Sequence, residues 1–591
     1  MRGFSVKINT YITEDTFNVQ DEFLEEEETW MRSFTADFET TTDLDDCRVW
    51  AWAVCEIGKP DFVQFGNDLD GFVKWCSLAA PCNLYFHNLG FDGYFLMDWL
   101  ERNNWLWVED AKHVSDYTYT TLIGDMNQVY SITLYFTKRQ KVVIYDSFKI
   151  IPLSIANMAK AYKLPIRKGE LDYTAYREPG HELTEDERDY IRNDVEIAAM
   201  ALDGHLAQGL NRMTAGSNAL HDFKKMMGGN KKFRVVFPEL SREEDAFIRR
   251  AYRGGFTWVN PRYQGRKLND GIVLDVNSLY PSVMACTDGQ VLPFGKPVWF
   301  SGHPMNRPGN RPLWIAAVSC SFKVKDNHIP CLQLKGNNRF LATEYITDSK
   351  GETTFTCTNV DWDLFTDHYD VDDVVWLGGY AFQARDYLCR DYVDKWYAVK
   401  EQASKDGNSG LRQVSKLMLN SLYGKFATRI EAEGRKPVLG DDDVVHFVDL
   451  PVVERPGVYL PMGVFITSWA RDKTVRAAQS LFDRFVYADT DSLHLVGTEI
   501  PENLDVDDNR IGAWAHETTF DEAKFLRAKC YAEHEIGKDG LTVHVSGMPA
   551  KVHPQVTLDN FDFGARYEGK LYTHRVKGGI VLVEGDMEIR K

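Results

Sequence analysis

The stretch VYADTDSLHL, residues 486–495, sets Asp489 and Asp491 one residue apart inside a run that otherwise reads as a strand. Two like charges that close oppose each other's ionisation, so the pair calls for a compensating cation. A second set of acids lies near the front of the chain. DFE, residues 37–39, follows a short apolar run and reads as a strand; positions i and i+2 of a strand share a face, so Asp37 and Glu39 point together. Asp92 falls in a turn predicted at 87–93, between the buried strand and the amphipathic helix of LYFHNLGFDGYFLMDWLER (84–102). Asp194 lies one helical turn after Tyr190, so both side chains project from one face. Four carboxylates from separate elements can hold two divalent cations, roughly 3.5–4 Å apart, that activate a water and steady the leaving oxygen of a phosphodiester. DxE or YxxxD alone is a weak signal. The ordered set DFETTTD, YFHNLGFDGYF and YIRNDVEIA is a strong one.

Strand-like and helix-like patterns alternate to about residue 214 and would carry these acids. LTEDERDYIRNDVEIAAMALDGHL (183–206) predicts a helix with Thr184 as N-cap and Glu187 three residues later, a capping box. GIVLDVNSLYPSVM (271–284) is an apolar strand ending in Asp275, then a turn and a helix, while RFVYADTDSLHLVG reads as strand, tight turn, strand. Pairing of these strands would bring Asp275 to Asp489 and Asp491 at one sheet edge. An isolated Asp-Thr-Asp is more often a polar hairpin tip; the flanking apolar strands and Asp275 argue for a metal pair instead.

At 591 residues the chain should divide into several domains, and its 44% hydrophobic content suffices for packed cores. No uncharged apolar run reaches the roughly 18 residues of a membrane-spanning helix. The first residues lack the apolar core and cleavage site of a signal peptide. The ten cysteines are scattered singly without a CxxC pair, as expected of reduced thiols rather than disulfides or a zinc site. The net charge of −19 argues against simple coating of nucleic acid but allows a basic channel in an acidic body. Residues 1–36 hold eight acids against three bases, and DEFLEEEETW (21–30) reads as a solvated tail; Met31 is an alternative start, and an acidic decoy for a DNA groove a sharper possibility.

The acid motifs of the first region resemble the three exonuclease motifs of family B DNA polymerases, in wording closest to the protein-primed bacteriophage enzymes of the phi-twenty-nine type. The resemblance continues from about residue 36 to the last residues through YRGGFTWVN (252–260), LDVNSLYPS (274–282), KLMLNSLYGKFAT (416–428), PMGVFITSWAR (461–471), YADTDSLHL (487–495) and KCYAEH (529–534). It implies an α/β (α+β) multidomain protein: an RNase H-like 3′-5′ exonuclease domain at 36–214 behind an acidic leader at 1–35, then a right-hand polymerase domain. That domain would comprise palm at 215–286 and 461–546, fingers at 388–428 and thumb at 547–591. Residues 287–387 and 429–460 match in position two insertions of the protein-primed branch, the first contacting priming protein and duplex, the second serving strand displacement and processivity.

The resemblance also implies roles. Asp275 and Asp489 would be direct metal ligands, joined by Asp491 and the Val276 carbonyl; in the nuclease site Asp37, Glu39, Asp92 and Asp194 would hold metal, with Tyr190 catalytic and Glu170 an outer carboxylate. Each site would take two Mg2+, with Mn2+ able to substitute. Lys416, Asn420 and Tyr423 fall at i, i+4 and i+7 on one helix face. Lys416 would hold triphosphate together with Lys400 and Arg412, which stands where the family commonly has lysine. Tyr280 resembles a steric gate that leaves no room for a 2′-hydroxyl. DNA contacts are expected from Tyr252, Arg253, Gly254 and Gly255, from Thr467 and Arg471, and from Lys529 and Tyr531 at the primer end. An unpaired 3′ end would be gripped by Thr40, Tyr85, His87, Asn88, Phe91, Phe95, Ser147 and Tyr173, with Lys168 at the scissile phosphate. Implied partners are primer-template DNA, dNTPs and a terminal priming protein, for a monomer without membrane attachment in the cytoplasm of a bacterial host. The alternatives are an exonuclease whose polymerase half is a non-catalytic DNA clamp, and a non-catalytic scaffold at a viral origin.

Overall fold

A computed structural model of the chain describes residues 31–591 apart from Thr174. The expected acidic leader lies outside the described residues as far as residue 30. Its last four residues are not leader, because Arg32–Thr40 form strand β1, on which Phe34, Ala36 and Phe38 are buried at alternate positions.

The first region continues with β2 (Val49–Glu56), β3 (Lys59–Gly66), helix α1 (Leu69–Ala79), β4 (Cys82–Phe86), α2 (Leu89–Arg102), β5 (Leu106–Trp107), β6 (Thr118–Gly124), β7 (Val129–Tyr135) and β8 (Lys141–Asp146). The strand order is β6-β7-β8-β4-β1-β2-β3, with β1, β4 and β8 mutually parallel and the other pairs antiparallel. After α3 (Ile155–Ala161), α4 (Glu185–Leu206) packs on β1 and β2, where the Thr35 hydroxyl donates to the Val195 carbonyl at 2.7 Å. The capping box of Thr184 and Glu187 starts α4 as its sequence predicts.

The second region opens with α5 (Ala215–Met226), α6 (Asn230–Val236), α7 (Arg242–Arg249), β9 (Thr257–Val259), β10 (Lys267–Val276) and α8 (Leu279–Met284). Residues 287–387 then build β11 (Leu292–Phe300), β12 (Leu313–Val324), β13 (Thr353–Thr358), α9 (Asn359–His368) and β14 (Tyr369–Arg385), a sheet in the order β11-β14-β12-β13 around its own core of Phe322, Phe355, Phe365 and Tyr369. Helices α10 (Arg390–Lys405) and α11 (Ser409–Phe426) pack side by side, and the Tyr392 hydroxyl of α10 donates to the Met418 carbonyl of α11.

The strand-rich stretch that follows holds β15 (Glu431–Ala432), β16 (Gly434–Leu439), β17 (Val445–Asp449) and β18 (Val453–Glu454). Strand β16 pairs with β6, Gly434 opposite Gly124, so this stretch extends the sheet of the first region. Next come α12 (Leu460–Ser480), β19 (Phe485–Asp489), β20 (Ser492–Val496), β21 (Trp514–Arg527), β22 (Cys530–Glu535) and β23 (Thr542–Val545). They complete a sheet in the order β23-β22-β21-β10-β20-β19-β9.

A long hairpin, β24 (Arg566–Val576) and β25 (Gly579–Glu588), ends the chain. Its tip docks where three segments meet. Lys577 and Arg102 both pair with Asp443, from the β16–β17 turn, at 2.8 and 3.3 Å, and the Gly578 N–H donates to Asp98 at 3.2 Å. A Cβ on Gly578 (φ +94°) would stand 2.1 Å from the Cys47 carbonyl oxygen, so no other residue fits this close approach.

Candidate active sites

The first acid cluster is built from three elements. Strand β1 carries Asp37 and Glu39, α2 carries Asp92 and α4 carries Asp194 with Tyr190. Asp92 lies in the first turn of α2, not in a turn ahead of it, because the helix begins at Leu89 directly after Asn88 in the left-handed region (φ 74°). Burial, then the Asp194 charge, push the Asp37 carboxyl up to about 7. Burial followed by Asp37 raises Glu39 and Asp92 well above the carboxylate range. Burial also raises Asp194, against the lowering effect of its ion pair with Lys168. One oxygen each of Asp92 and Asp194 is buried without a hydrogen-bond partner. Crowded carboxylates with orphaned oxygens are the chemistry of a divalent-cation site, and these residues fit one. Among the described residues no three His, Cys, Asp or Glu side chains are already gathered in metal-holding geometry. The Tyr173 and Tyr190 hydroxyls hydrogen-bond at 2.5 Å, and the Lys168 ammonium stands 5.2 Å from the Tyr190 ring.

The second cluster follows from sheet register. Asp275 on β10 and Asp489 on β19 both lie opposite Ser492 of β20, the strand between them. Residues directly opposite in a ladder share a face, so both acids project together. Hairpin pairing therefore inserts β20 between the two acids instead of pairing their strands directly. Asp491 sits in the β19–β20 turn; its N–H donates to the Asp489 carbonyl at 2.7 Å and its carbonyl accepts from Val276 N–H at 2.8 Å. Burial, then Asp491 and Glu517, push Asp275 up to about 8; burial, with Asp489 and Glu517 adding, takes Asp491 to about 6. Glu517 escaped the sequence reading. Leu274 pairs with His516 and Val273 with Thr518, leaving Glu517 as the extra residue of a bulge, which breaks the alternation by which a strand face is read.

Lys416 lies close enough to lower the Asp275 carboxyl, and burial with the charges of Arg412 and Lys416 lowers Lys400. The three cations thus crowd together on α10 and α11, an arrangement suited to a polyanion. Tyr280 and Tyr423 stack at 4.0 Å, with Asn420 exposed one turn before Tyr423.

Several residues expected to touch DNA are buried or hydrogen-bonded within the protein. Arg253 is 6% exposed, and its guanidinium donates to the carbonyls of Gln333, Ala251 and Thr356. Arg471, 3% exposed, donates to the Arg253 and Gly254 carbonyls and forms a two-pronged pair with Asp361. The Thr467 hydroxyl turns back onto its own helix at Gly463 and Val464. Tyr531 is packed between Phe525 and His544. In the first region Tyr85 packs in the core around Ile150 and Ile151, and Ser147 is buried and donates to the Phe86 carbonyl. His87 is held by Ser147 and the Leu153 carbonyl, its pKa lowered to about 4 by burial. Phe95 is 0% exposed, covered by the hairpin tip, where a Cβ on Gly579 would come within 2.5 Å of its ring. Thr40, Asn88, Phe91, Lys168 and Tyr173 keep accessible surface beside the first cluster, as do Tyr252, Gly254, Gly255 and Lys529 beside the second; Glu170 is exposed.

The raised acids make a stability prediction. A carboxyl whose pKa rises on folding leaves folding unopposed below its ordinary value near 3.8 and opposes it increasingly as pH climbs toward its folded value, about 8 for Asp275. With chelator present, Asp275→Asn is therefore expected to melt several degrees above the parent at about pH 8, a difference on the order of 2–4 kcal/mol that fades toward about pH 4. Differential scanning calorimetry at the two pH values checks it, and a variant no more stable than the parent at the higher pH counts against charge crowding.

Comparison with known proteins agrees with this geometry. The family model for DNA polymerase type B, organellar and viral, matches residues 79–179 and 174–510. The DNA polymerase of Bacillus phage Nf is 43% identical over 584 residues, spanning 95% of this chain and all of that protein. The DNA polymerase of Bacillus phage phi29 is 41% identical, spanning 95% and 99%. The structure of phi29 DNA polymerase complexed with primer-template DNA and incoming nucleotide superposes with a TM-score of 0.88 at 40% identity, covering 95% of this chain and 100% of that one. With both acid clusters in place along a chain matched nearly end to end, this protein belongs to the type B DNA polymerases, organellar and viral, and among them to the phi29-type bacteriophage enzymes.

Proposed function

We propose that this DNA-directed DNA polymerase uses its two acid clusters for two opposed reactions, nucleotide addition at Asp275, Asp489 and Asp491 and 3′-5′ excision at Asp37, Glu39, Asp92 and Asp194. The observation that carries the reading is the shared register of Asp275 and Asp489 across Ser492, with a separate orphaned-oxygen cluster on β1, α2 and α4. Asp275, Asp489, Asp491 and the Val276 carbonyl would hold two Mg2+, or Mn2+, and the four nuclease acids would hold another pair, with Glu170 as an outer carboxylate. Bound at either site, such ions supply Lewis-acid activation of the attacking oxygen and charge neutralisation on the leaving one. Lys400, Arg412 and Lys416 bind the triphosphate. Tyr280 bars a ribose 2′-hydroxyl, while Asn420 and Tyr423 border the nascent pair. Lys529 supports the primer end, and Tyr252, Gly254 and Gly255 give the DNA backbone close approach. In the nuclease site Lys168 and Tyr190 align the scissile phosphate, with Thr40, Asn88, Phe91 and Tyr173 around the unpaired end.

The docking of the terminal hairpin on Asp443, Arg102 and Asp98 supports a closed path around DNA and so processive, strand-displacing synthesis by a monomer. A local cationic channel would then hold DNA despite the −19 charge. Initiation from a terminal priming protein, through residues 287–387, and action in the host bacterial cytoplasm complete the proposal; no described helix is long and apolar enough to cross a membrane. Extension of a primed single-stranded circle without helicase or clamp tests it. Products many circle-lengths long are expected, and products that stop at one circle would remove strand displacement from the proposal.

A further inference from the structure

Four strands line up one row of side chains: Thr257 on β9, Asp489 on β19, Ser492 on β20 and Asp275 on β10, each directly opposite the next. Members of such a row share a face. The Thr257 hydroxyl donates to Asp489 Oδ1 at 3.0 Å. The other groups reaching Asp489 differ in kind. Lys529 touches both oxygens at 3.1 and 3.2 Å, but its side chain is 59% exposed and its charge competes with any cation for the same carboxylate. The Thr490 and Tyr487 hydroxyls lie farther off, at 3.3 and 3.4 Å. A neutral hydroxyl fixed on one oxygen sets the carboxylate's orientation without neutralising it, as outer-shell partners of metal ligands do.

Thr257 is itself anchored. Its main-chain N–H donates to the Tyr345 hydroxyl at 3.1 Å, and the Tyr345 ring meets Phe256 edge-on at 5.1 Å. The preceding backbone is gripped at the Arg253 and Gly254 carbonyls by Arg471, which Asp361 holds in turn. Gly255 lets Thr490 close in, since a Cβ there would stand 2.6 Å from the Thr490 hydroxyl oxygen. The stretch 253–257 is therefore fixed by groups from three distant parts of the chain, and Thr257 is where that scaffold meets the acid row.

We propose that Thr257 is a positioning residue of the polymerase centre, orienting the Asp489 carboxylate for cation binding, with Tyr345 holding Thr257 in place. The proposal rests on the reading of Asp489 as a metal ligand, and the test separates the two. Mn2+ binding is followed by electron paramagnetic resonance on the full chain carrying Asp37→Ala and Asp194→Ala to silence the other cluster. Thr257→Val is expected to weaken Mn2+ binding about tenfold, within the roughly 10–100-fold range for lost outer-shell partners, and Thr257→Ser to restore it. In the otherwise unaltered enzyme, kcat for incorporation should fall by a similar factor with the dNTP KM little changed. Tyr345→Phe, which spares the threonine, should move Mn2+ binding about threefold the same way and serves if the valine variant does not fold. Unchanged Mn2+ binding in Thr257→Val or, where that protein is not recovered, in Tyr345→Phe overturns the proposal, as does a serine variant no better than valine. Unchanged Mn2+ binding in Asp489→Ala would sink the metal-ligand reading and this proposal with it; a loss there with none in Thr257→Val sinks this proposal alone.

Discussion

Asp489→Ala is expected to lower dNTP incorporation on a primed template by at least about 10³-fold, equivalent to about 4 kcal/mol of transition-state stabilisation, while degradation of single-stranded DNA by the same protein continues. The asymmetry follows from construction. Asp489 and Asp275 stand on β19 and β10, the two strands that flank β20 in the β9–β23 sheet, whereas the acids of the first cluster come from β1, α2 and α4, and no residue belongs to both clusters. The substitution leaves Lys529 without its carboxylate, but that side chain is largely exposed and water can solvate it, so folding should survive. Melting temperature provides the control. The same experiment separates the rival readings. A scaffold without catalysis would lose nothing with Asp489→Ala. A nuclease with a polymerase-like clamp would already show no incorporation in an Asp37→Ala/Asp92→Ala variant, which as a polymerase should instead extend primers freely.

The acids were legible from the chain because their signal is local. Asp37 and Glu39 obey the strand period, and Asp194 follows Tyr190 by one turn of a helix whose capping box is written in four residues. What the arginines do was not legible. Arg253 and Arg471 sit in motifs beside glycine and threonine, as phosphate-binding cations would, yet both turn inward toward Asp361, which lies 110 residues before Arg471. A buried carboxylate can fix two guanidinium groups as firmly as DNA can, and only the fold tells which partner is near. The pairing of β16 with β6 was hidden for the same reason, because an edge strand advertises unpaired N–H and C=O groups but not their eventual partner. The burial of Phe95 could not be read because its cover comes from the last hairpin of the chain, and Glu517 was missed because a bulge broke the alternation.

Asp194→Ala is expected to reduce 3′-5′ excision by about 10³-fold or more while incorporation persists, so that mismatched primers are extended instead of trimmed. Asp194 is singled out because it does two things in the cluster. Its carboxylate pairs with Lys168, and its charge is the largest contribution after burial to raising Asp37 to about 7. Lys168 keeps 35% of its side-chain surface, so losing its partner should not unfold the domain. The raised Asp37 gives the excision reaction a pH signature in the parent enzyme. A carboxylate must be ionised to hold a cation, so below about pH 7 protons and Mg2+ compete for Asp37. The Mg2+ concentration giving half-maximal excision should therefore fall as pH rises from about 6 to 8 and level off above. Excision rates measured against Mg2+ at several pH values decide the matter: a half-maximal concentration that stays constant across that window would mean Asp37 is already ionised at pH 6, and that the crowding of these four acids is not what governs metal binding there.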